Sequence, residues 1–94
     1  MASNHTERRK LERYDYISTV EYALSEQEKT FRAIASNISR SGLCLYLFEL
    51  HREGQMLTFS RNYFPVPYRT AVIRWIKREN GELYRAGLVF VDEH

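Results

Sequence analysis

The sequence is short of several features that would narrow its class, and each shortage excludes something. Its 94 residues contain one cysteine, Cys44, which excludes an internal disulfide and is typical of a reducing compartment. No apolar run is long enough to span a bilayer. The charged N-terminus is not followed by the apolar core of an export signal. We therefore expect a cytoplasmic protein without a membrane span.

The net charge is small, and recognisable catalytic groups are sparse. The net charge is only +2, which makes nucleic acid an unlikely partner because coating it requires many phosphate-neutralising cations. The histidines at positions 5, 51 and 94 are scattered and lack metal-ligand spacing with Cys44 or with a carboxylate. No glycine-rich phosphate loop precedes a helix pattern. The sequence therefore predicts no enzyme, no catalytic residues, no metal and no cofactor.

Apolar and polar residues alternate from Ile17 onward, which predicts short β-strands separated by turns. The strands are expected at about 17–24, 30–37, 43–47, 55–59, 71–76 and 83–91. Periodicity alone leaves a helical turn over 46–53 as an alternative. Prolines in the loop 60–67 and the pair Asn80-Gly81 are typical of connections between strands. Six short strands without a long helix indicate an antiparallel barrel or sandwich.

The alternation also predicts which side chains share a face. In the first strand these are Val20, Tyr22 and Leu24, in the second Phe31, Ala33 and Ala35, in the fifth Ala71, Ile73 and Trp75, and in the sixth Tyr84, Ala86, Leu88 and Phe90. Cys44 lies between two leucines, so we expect a packed core thiol rather than a nucleophile.

A basic motif, Arg9-Lys10-Leu11-Glu12-Arg13, lies on a polar N-terminal arm. A block of this kind is by itself as readily a solvated tail as a binding element. The guanidinium of arginine, however, can donate two hydrogen bonds at once, either to phosphate oxygens or to the O6 and N7 atoms of guanine. Two such groups on an arm could close over a ligand.

A second motif, Asn37-Ile38-Ser39-Arg40-Ser41-Gly42, lies between two predicted strands. Asparagine and serine side chains stabilise turns, and Gly42 is expected to adopt backbone angles closed to other residues. An ordinary strand connection is the alternative interpretation. Arg40 would place a further cation beside any bound phosphate.

The order and spacing of the two motifs resemble the PilZ domain, a bacterial receptor module for cyclic di-GMP. Arg9 and Arg13 match its RxxxR arm, and Asn37, Ser39 and Gly42 match its [DN]xSxxG turn. Residues 72–75 and 84–90 resemble its later strands, so the resemblance covers about residues 8 to 92. It implies an all-β fold: a six-stranded antiparallel β-barrel of PilZ type over residues 16–94, preceded by a flexible N-terminal arm over residues 1–15. The C-terminal helix of many relatives is not expected.

The resemblance further implies a non-catalytic receptor whose arm orders on the ligand and thereby signals to a downstream protein partner. Arg9 and Arg13 would bind phosphate and guanine. Asn37 and Ser39 would hydrogen-bond a guanine or the phosphate–sugar ring, and Gly42 would allow a close backbone approach. Arg8 directly precedes the motif, and this position favours an intercalated pair of ligands. The expected ligand-binding residues are Arg8, Arg9, Arg13, Asn37, Ser39, Arg40 and Gly42.

Two other functions compete with this one. The first is a PilZ-like adaptor that contacts proteins and binds little or no nucleotide, with the aromatic loop 63–68 as its contact patch. The same aromatics could instead cap the barrel. The second is a small barrel that binds single-stranded nucleic acid through basic and aromatic residues, and the sparse, localised positive charge disfavours it.

Overall fold

Six antiparallel strands form the whole of the regular structure in the described part of the chain. A computed structural model describes residues 13–24, 27–64 and 67–91, and of residues 13–16 it describes the backbone alone. The strands are β1 (Arg13–Leu24), β2 (Thr30–Ser39), β3 (Gly42–Leu47), β4 (Met56–Phe59), β5 (Thr70–Asn80) and β6 (Leu83–Val91). All six predicted strands are confirmed. The alternative helical turn is wrong, because β3 continues to Leu47 and the following segment has no helix.

The strands close into a barrel in the order β1-β2-β3-β6-β5-β4. Closure removes free strand edges, which would otherwise be open to pairing with other chains. Strand β1 begins at Arg13, three residues before the predicted boundary at residue 16. Within the described ranges, no helix has the length and apolarity needed to cross a bilayer.

The core fills the inside of the barrel, and most of the predicted inward faces are confirmed. Val20, Tyr22 and Leu24 of β1 are buried, as are the alanines of β2 and Ala86, Leu88 and Phe90 of β6. Phe31 and Tyr84 are partly buried and pack against this cluster. Strict alternation predicts these positions because successive side chains in a strand point to opposite faces.

The predicted face of β5 is wrong at Trp75. Ile73 pairs with Leu88 and Trp75 pairs with Gly87, so Arg74 is an extra residue without a counterpart on β6. A β-bulge of this kind shifts the alternation by one position. Ile73 therefore faces the core and Ile76 packs against it, whereas Trp75 lies on the outer surface with 41% of its area exposed.

The aromatic loop between β4 and β5 closes one end of the barrel. Phe64 is buried, and its ring centroid lies 5.0 Å from that of Phe59 and 5.8 Å from that of Phe90. Tyr63 and Tyr68 also pack against the core. The described aromatics of this loop therefore cap the barrel, which disfavours the loop as a contact patch. Residues 65 and 66 lie outside the described residues.

A buried hydrogen bond joins the core to the β3–β4 connection at the opposite end. The Tyr22 hydroxyl lies 2.8 Å from Nε2 of His51. The His51 residue is only 7% exposed. Burial, followed by the negative charge of Glu49, raises the pKa of Tyr22, so its hydroxyl stays protonated. Burial lowers the pKa of His51, although Glu49 and the Leu50 backbone partly oppose this shift.

Acid is expected to destabilise the barrel through His51. The folded state holds this histidine with a lowered pKa, so the unfolded chain binds a proton more readily. The contribution of His51 is fully present above its unfolded pKa of about 6.5 and is lost as the pH falls below that value. Urea unfolding at pH 7.5 and pH 5.5 should show a smaller pH effect in His51→Gln than in the wild type. An equal pH effect in both proteins, with His5→Gln as control, would contradict this assignment.

Candidate ligand-binding groove

The β2–β3 connection owes its shape to a distortion at Asn37. Strand β1 pairs Tyr14 with Ile38 and Ile17 with Ser36, so two residues of β1 lie opposite Asn37 alone. Asn37 adopts a left-handed backbone with φ of 51°. Asparagine tolerates this conformation better than most residues. The bulge leaves the Asn37 side chain exposed on the outer face of the barrel, beside the turn.

Ser39 closes the turn with its own hydroxyl. Its Oγ accepts hydrogen bonds from the backbone N–H groups of Ser41 at 3.3 Å and Gly42 at 3.2 Å. It also lies 3.3 Å from the Gly42 carbonyl oxygen, to which it can donate. The serine of the motif therefore has a structural role that does not depend on any ligand.

The unusual backbone angles predicted for Gly42 are wrong. Its φ is not positive, and the left-handed residue of the motif is Asn37. Gly42 instead pairs with Val89 of β6, and a Cβ at this position would collide with the backbone carbonyl oxygen of Leu88. Glycine is required because β3 and β6 approach each other closely here.

A second close approach forms the floor of a groove on the outer face. Cys44 of β3, Gly87 of β6 and Trp75 of β5 are consecutive partners across three strands. A Cβ on Gly87 would collide with the Trp75 indole, so the missing side chain lets the ring lie against the β6 backbone. Cys44 is buried as expected, but it lines this groove and is not part of the core cluster.

The groove has a volume of about 370 Å³ and runs from the Asn37–Gly42 turn to strand β5. Arg74 and Arg85 line it, and none of the described residues that line it is acidic. The neighbouring Cys44 side chain is the main cause of a raised pKa of Arg85, so this guanidinium stays charged. An anionic ligand with planar groups fits such a surface, because cations attract its charge and Trp75 offers a stacking face.

The strand pairing brings the two sequence motifs together. Arg13, the second arginine of the RxxxR motif, is the backbone partner of Ser39. The side chain of Arg13 and the whole of Arg8 and Arg9 lie outside the described residues. Arg40 is exposed at the tip of the turn, next to the groove rather than in its lining.

Among the lining residues that were not predicted as site residues are the two cations and the aromatic ring of the groove: Arg74, Arg85 and Trp75. Trp75 was missed because the bulge at Arg74 reverses its face. A signal was nevertheless present, because Gly87 lies inside a largely apolar strand, and a glycine within a strand often marks a close approach of another group.

Gly87→Ala is expected to displace Trp75 without unfolding the barrel. The added methyl group would collide with indole atoms of a half-exposed side chain, which can rotate away, and not with backbone. Trp75 is the single tryptophan of the chain, so its emission spectrum reports this movement directly. We expect a shifted emission maximum with a midpoint of urea unfolding close to that of the wild type. An unchanged spectrum would contradict the described contact. Ser60→Ala, at an exposed position outside the groove lining, serves as the control.

A different pocket, of about 360 Å³, lies at the His51 end of the barrel. Its lining includes Glu49, which is paired with Lys29 at 3.9 Å. It contains none of the motif residues. Within the described residues, no cluster of three or more His, Cys, Asp or Glu residues could hold a metal ion.

Comparison with known families gives one match. A family model described as PilZ domain matches residues 7–94, which is nearly the whole chain. No curated protein and no solved structure matches the chain significantly.

Proposed function

Because the chain belongs to the PilZ domain family, we propose that it is a non-catalytic receptor for cyclic di-GMP. The ligand binds in the outer groove, between the Asn37–Gly42 turn and Trp75. The N-terminal arm carries Arg8, Arg9 and Arg13 to the same place. The receptor acts in the bacterial cytoplasm, where the ligand is a second messenger.

One observation carries this proposal: Arg13 and Ser39 are partners across β1 and β2. The two motifs are separated by about two strands in the sequence, yet their backbones are adjacent in the barrel. A binding site divided between an arm and a turn requires this adjacency. It also puts Arg13, the first described residue of the chain, beside the turn.

The chemistry of the groove suits the two kinds of group in cyclic di-GMP. The phosphates require cations, which the arm and the lining arginines supply. The guanines require a flat apolar face and polar groups at their edges, and Trp75 and Asn37 can supply these. A single cyclic dinucleotide or an intercalated pair would extend over the open side of the groove. Arg8 favours the pair, because it adds charge against the additional phosphates.

Binding would be coupled to a change at the surface. The arm is polar and has little apolar area to bury, so contacts with the ligand would stabilise its ordered state. Ordering the arm changes the surface next to the turn, and a downstream protein partner would recognise that change. The energy for this step comes from charge-assisted arginine–phosphate bonds, which are among the stronger polar contacts.

Calorimetric titration of the whole chain with cyclic di-GMP tests the proposal. We expect saturable binding, with two ligands per chain if the pair forms. A folded protein that releases no heat and shows no change in Trp75 emission would overturn the receptor function. Cyclic AMP is a suitable control ligand, because it has one phosphate and no guanine.

A protein adaptor is the second candidate, and one observation favours it. Phe48 and Leu50 in the β3–β4 connection are 51% and 64% exposed, and exposed apolar side chains of this size are common in protein contacts. Titration with cyclic di-GMP, followed by the fluorescence emission of Trp75, separates the two functions. An adaptor without nucleotide binding would leave the emission unchanged and would lose partner capture in Phe48→Ser.

A further inference from the structure

Arg85 has a buried donor without an acceptor. Its Nε is shielded from solvent and has no hydrogen-bond partner, and among the described side chains (17–24, 27–64 and 67–91) it is the one buried nitrogen or oxygen in this condition. Burying an unpaired polar group costs free energy, most of all for a charged one. The Arg85 side chain as a whole is 36% exposed, so a change of its rotamer would bring this N–H to an acceptor in the groove.

The rest of the guanidinium is held loosely. Its Nη1 lies 3.9 Å from Oε2 of Glu79, and both side chains are about one-third exposed. Glu79 is an extra residue of β5 between two pairs with β6, so a bulge directs it to this position. An ion pair that is long and partly exposed contributes little. A better partner can therefore replace Glu79.

The position of the guanidinium over Trp75 restricts what that partner is. The Cζ atom of Arg85 lies 6.0 Å from the indole centroid, and the ring remains 41% exposed. A purine stacked on the exposed part of the indole lies beside the guanidinium and presents an edge to it. Guanine offers two acceptors there, O6 and N7, which match the fork of an arginine. Adenine offers one acceptor, N7, and one donor, the N6 amino group. That amino group would face an N–H of the arginine, so two donors would meet.

We propose that Arg85 selects guanine over adenine by donating to the O6 and N7 atoms of the base stacked on Trp75. This inference rests on the proposed receptor function and concerns the specificity of the same groove. Glu79 is the internal counter-ion of Arg85, which the base edge displaces. Arg85 thus adds a specificity-determining residue on the side of the groove opposite the Asn37–Gly42 turn.

The test measures two ligands against matched variants of the full chain. Cyclic di-GMP and cyclic di-AMP are titrated by competition against a fluorescent cyclic di-GMP. The variants are Arg85→Ala, Arg85→Met, which keeps much of the side-chain volume, and Glu79→Gln. Arg78→Ala is the control, because Arg78 lies on the same hairpin over the Tyr84 ring and outside the groove lining.

We expect Arg85→Ala and Arg85→Met to weaken cyclic di-GMP binding by about tenfold or more and to leave cyclic di-AMP within about twofold. Glu79→Gln should tighten cyclic di-GMP binding by about two- to fivefold. Equal losses for both ligands would overturn guanine selection and assign Arg85 to phosphate. If the Arg85 variants bind cyclic di-GMP as tightly as Arg78→Ala does, Arg85 is not part of the site. A wild-type protein that binds neither ligand would overturn the receptor function itself.

Discussion

Arg9→Ala and Arg13→Ala are each expected to weaken cyclic di-GMP binding by about ten- to hundredfold. A hydrogen-bonded contact to a charged group contributes roughly 1.5–3 kcal/mol, and 1.4 kcal/mol corresponds to a factor of ten. The loss at Arg13 follows from its place opposite Ser39, where its backbone is fixed by strand pairing. Calorimetric titration gives both affinities directly.

Lys10→Ala is the matched control for these variants, because it removes one positive charge from the same arm and leaves the RxxxR pattern intact. Long-range attraction alone would make all three substitutions similar, with an effect that salt screens. Specific arginine contacts predict a small change for Lys10→Ala. Wild-type affinity in both arginine variants would remove the arm from the site.

Gly42→Ala is expected to destabilise the barrel by about 1–3 kcal/mol, whether or not a ligand is present. The added Cβ would collide with the carbonyl oxygen of Leu88, and backbone atoms in a paired strand cannot rotate away as a side chain can. Urea unfolding of the free protein measures this loss. Reduced ligand binding by this variant would then reflect a distorted β3–β6 pair rather than a lost ligand contact.

Ser41→Ala provides the comparison for Gly42. Ser41 is the neighbouring residue in the same turn and is exposed, so its truncation should change stability by less than about 0.5 kcal/mol. Equal stability of Gly42→Ala and the wild type would contradict the close approach of the two strands. The glycine would then have to be explained through the ligand.

The strand pattern predicts most of the fold because each half-buried strand alternates regularly. Val20, Tyr22 and Leu24 face the core as that alternation requires. The hairpin between β5 and β6 is also predicted correctly, and Gly81 supplies a positive φ at its turn. Asn80 does not, because it ends β5 and pairs with Leu83. The resemblance adds closure into a barrel, which alternation does not distinguish from a sandwich.

Bulges account for what the sequence does not predict. Asn37, Arg74 and Glu79 each lie where one strand has an extra residue relative to its partner. A bulge shifts the faces of all residues beyond it, and nothing in the alternation marks its position beforehand. Trp75 enters the groove for this reason. Arg85 lies on the outer face of β6 as regular alternation predicts, but the pattern does not show that a groove forms there.

The central claim is that one ligand site unites the arm, the Asn37–Gly42 turn and the Trp75 side of the groove. An NMR titration of the ¹⁵N-labelled chain with cyclic di-GMP tests it most directly. We predict shifts at the amides of Asn37, Ser39 and Gly87, at the Trp75 indole N–H and in the arm. His51 and Leu50 at the other end of the barrel should stay unchanged. Shifts confined to the His51 end, or none at saturating ligand, would contradict the account.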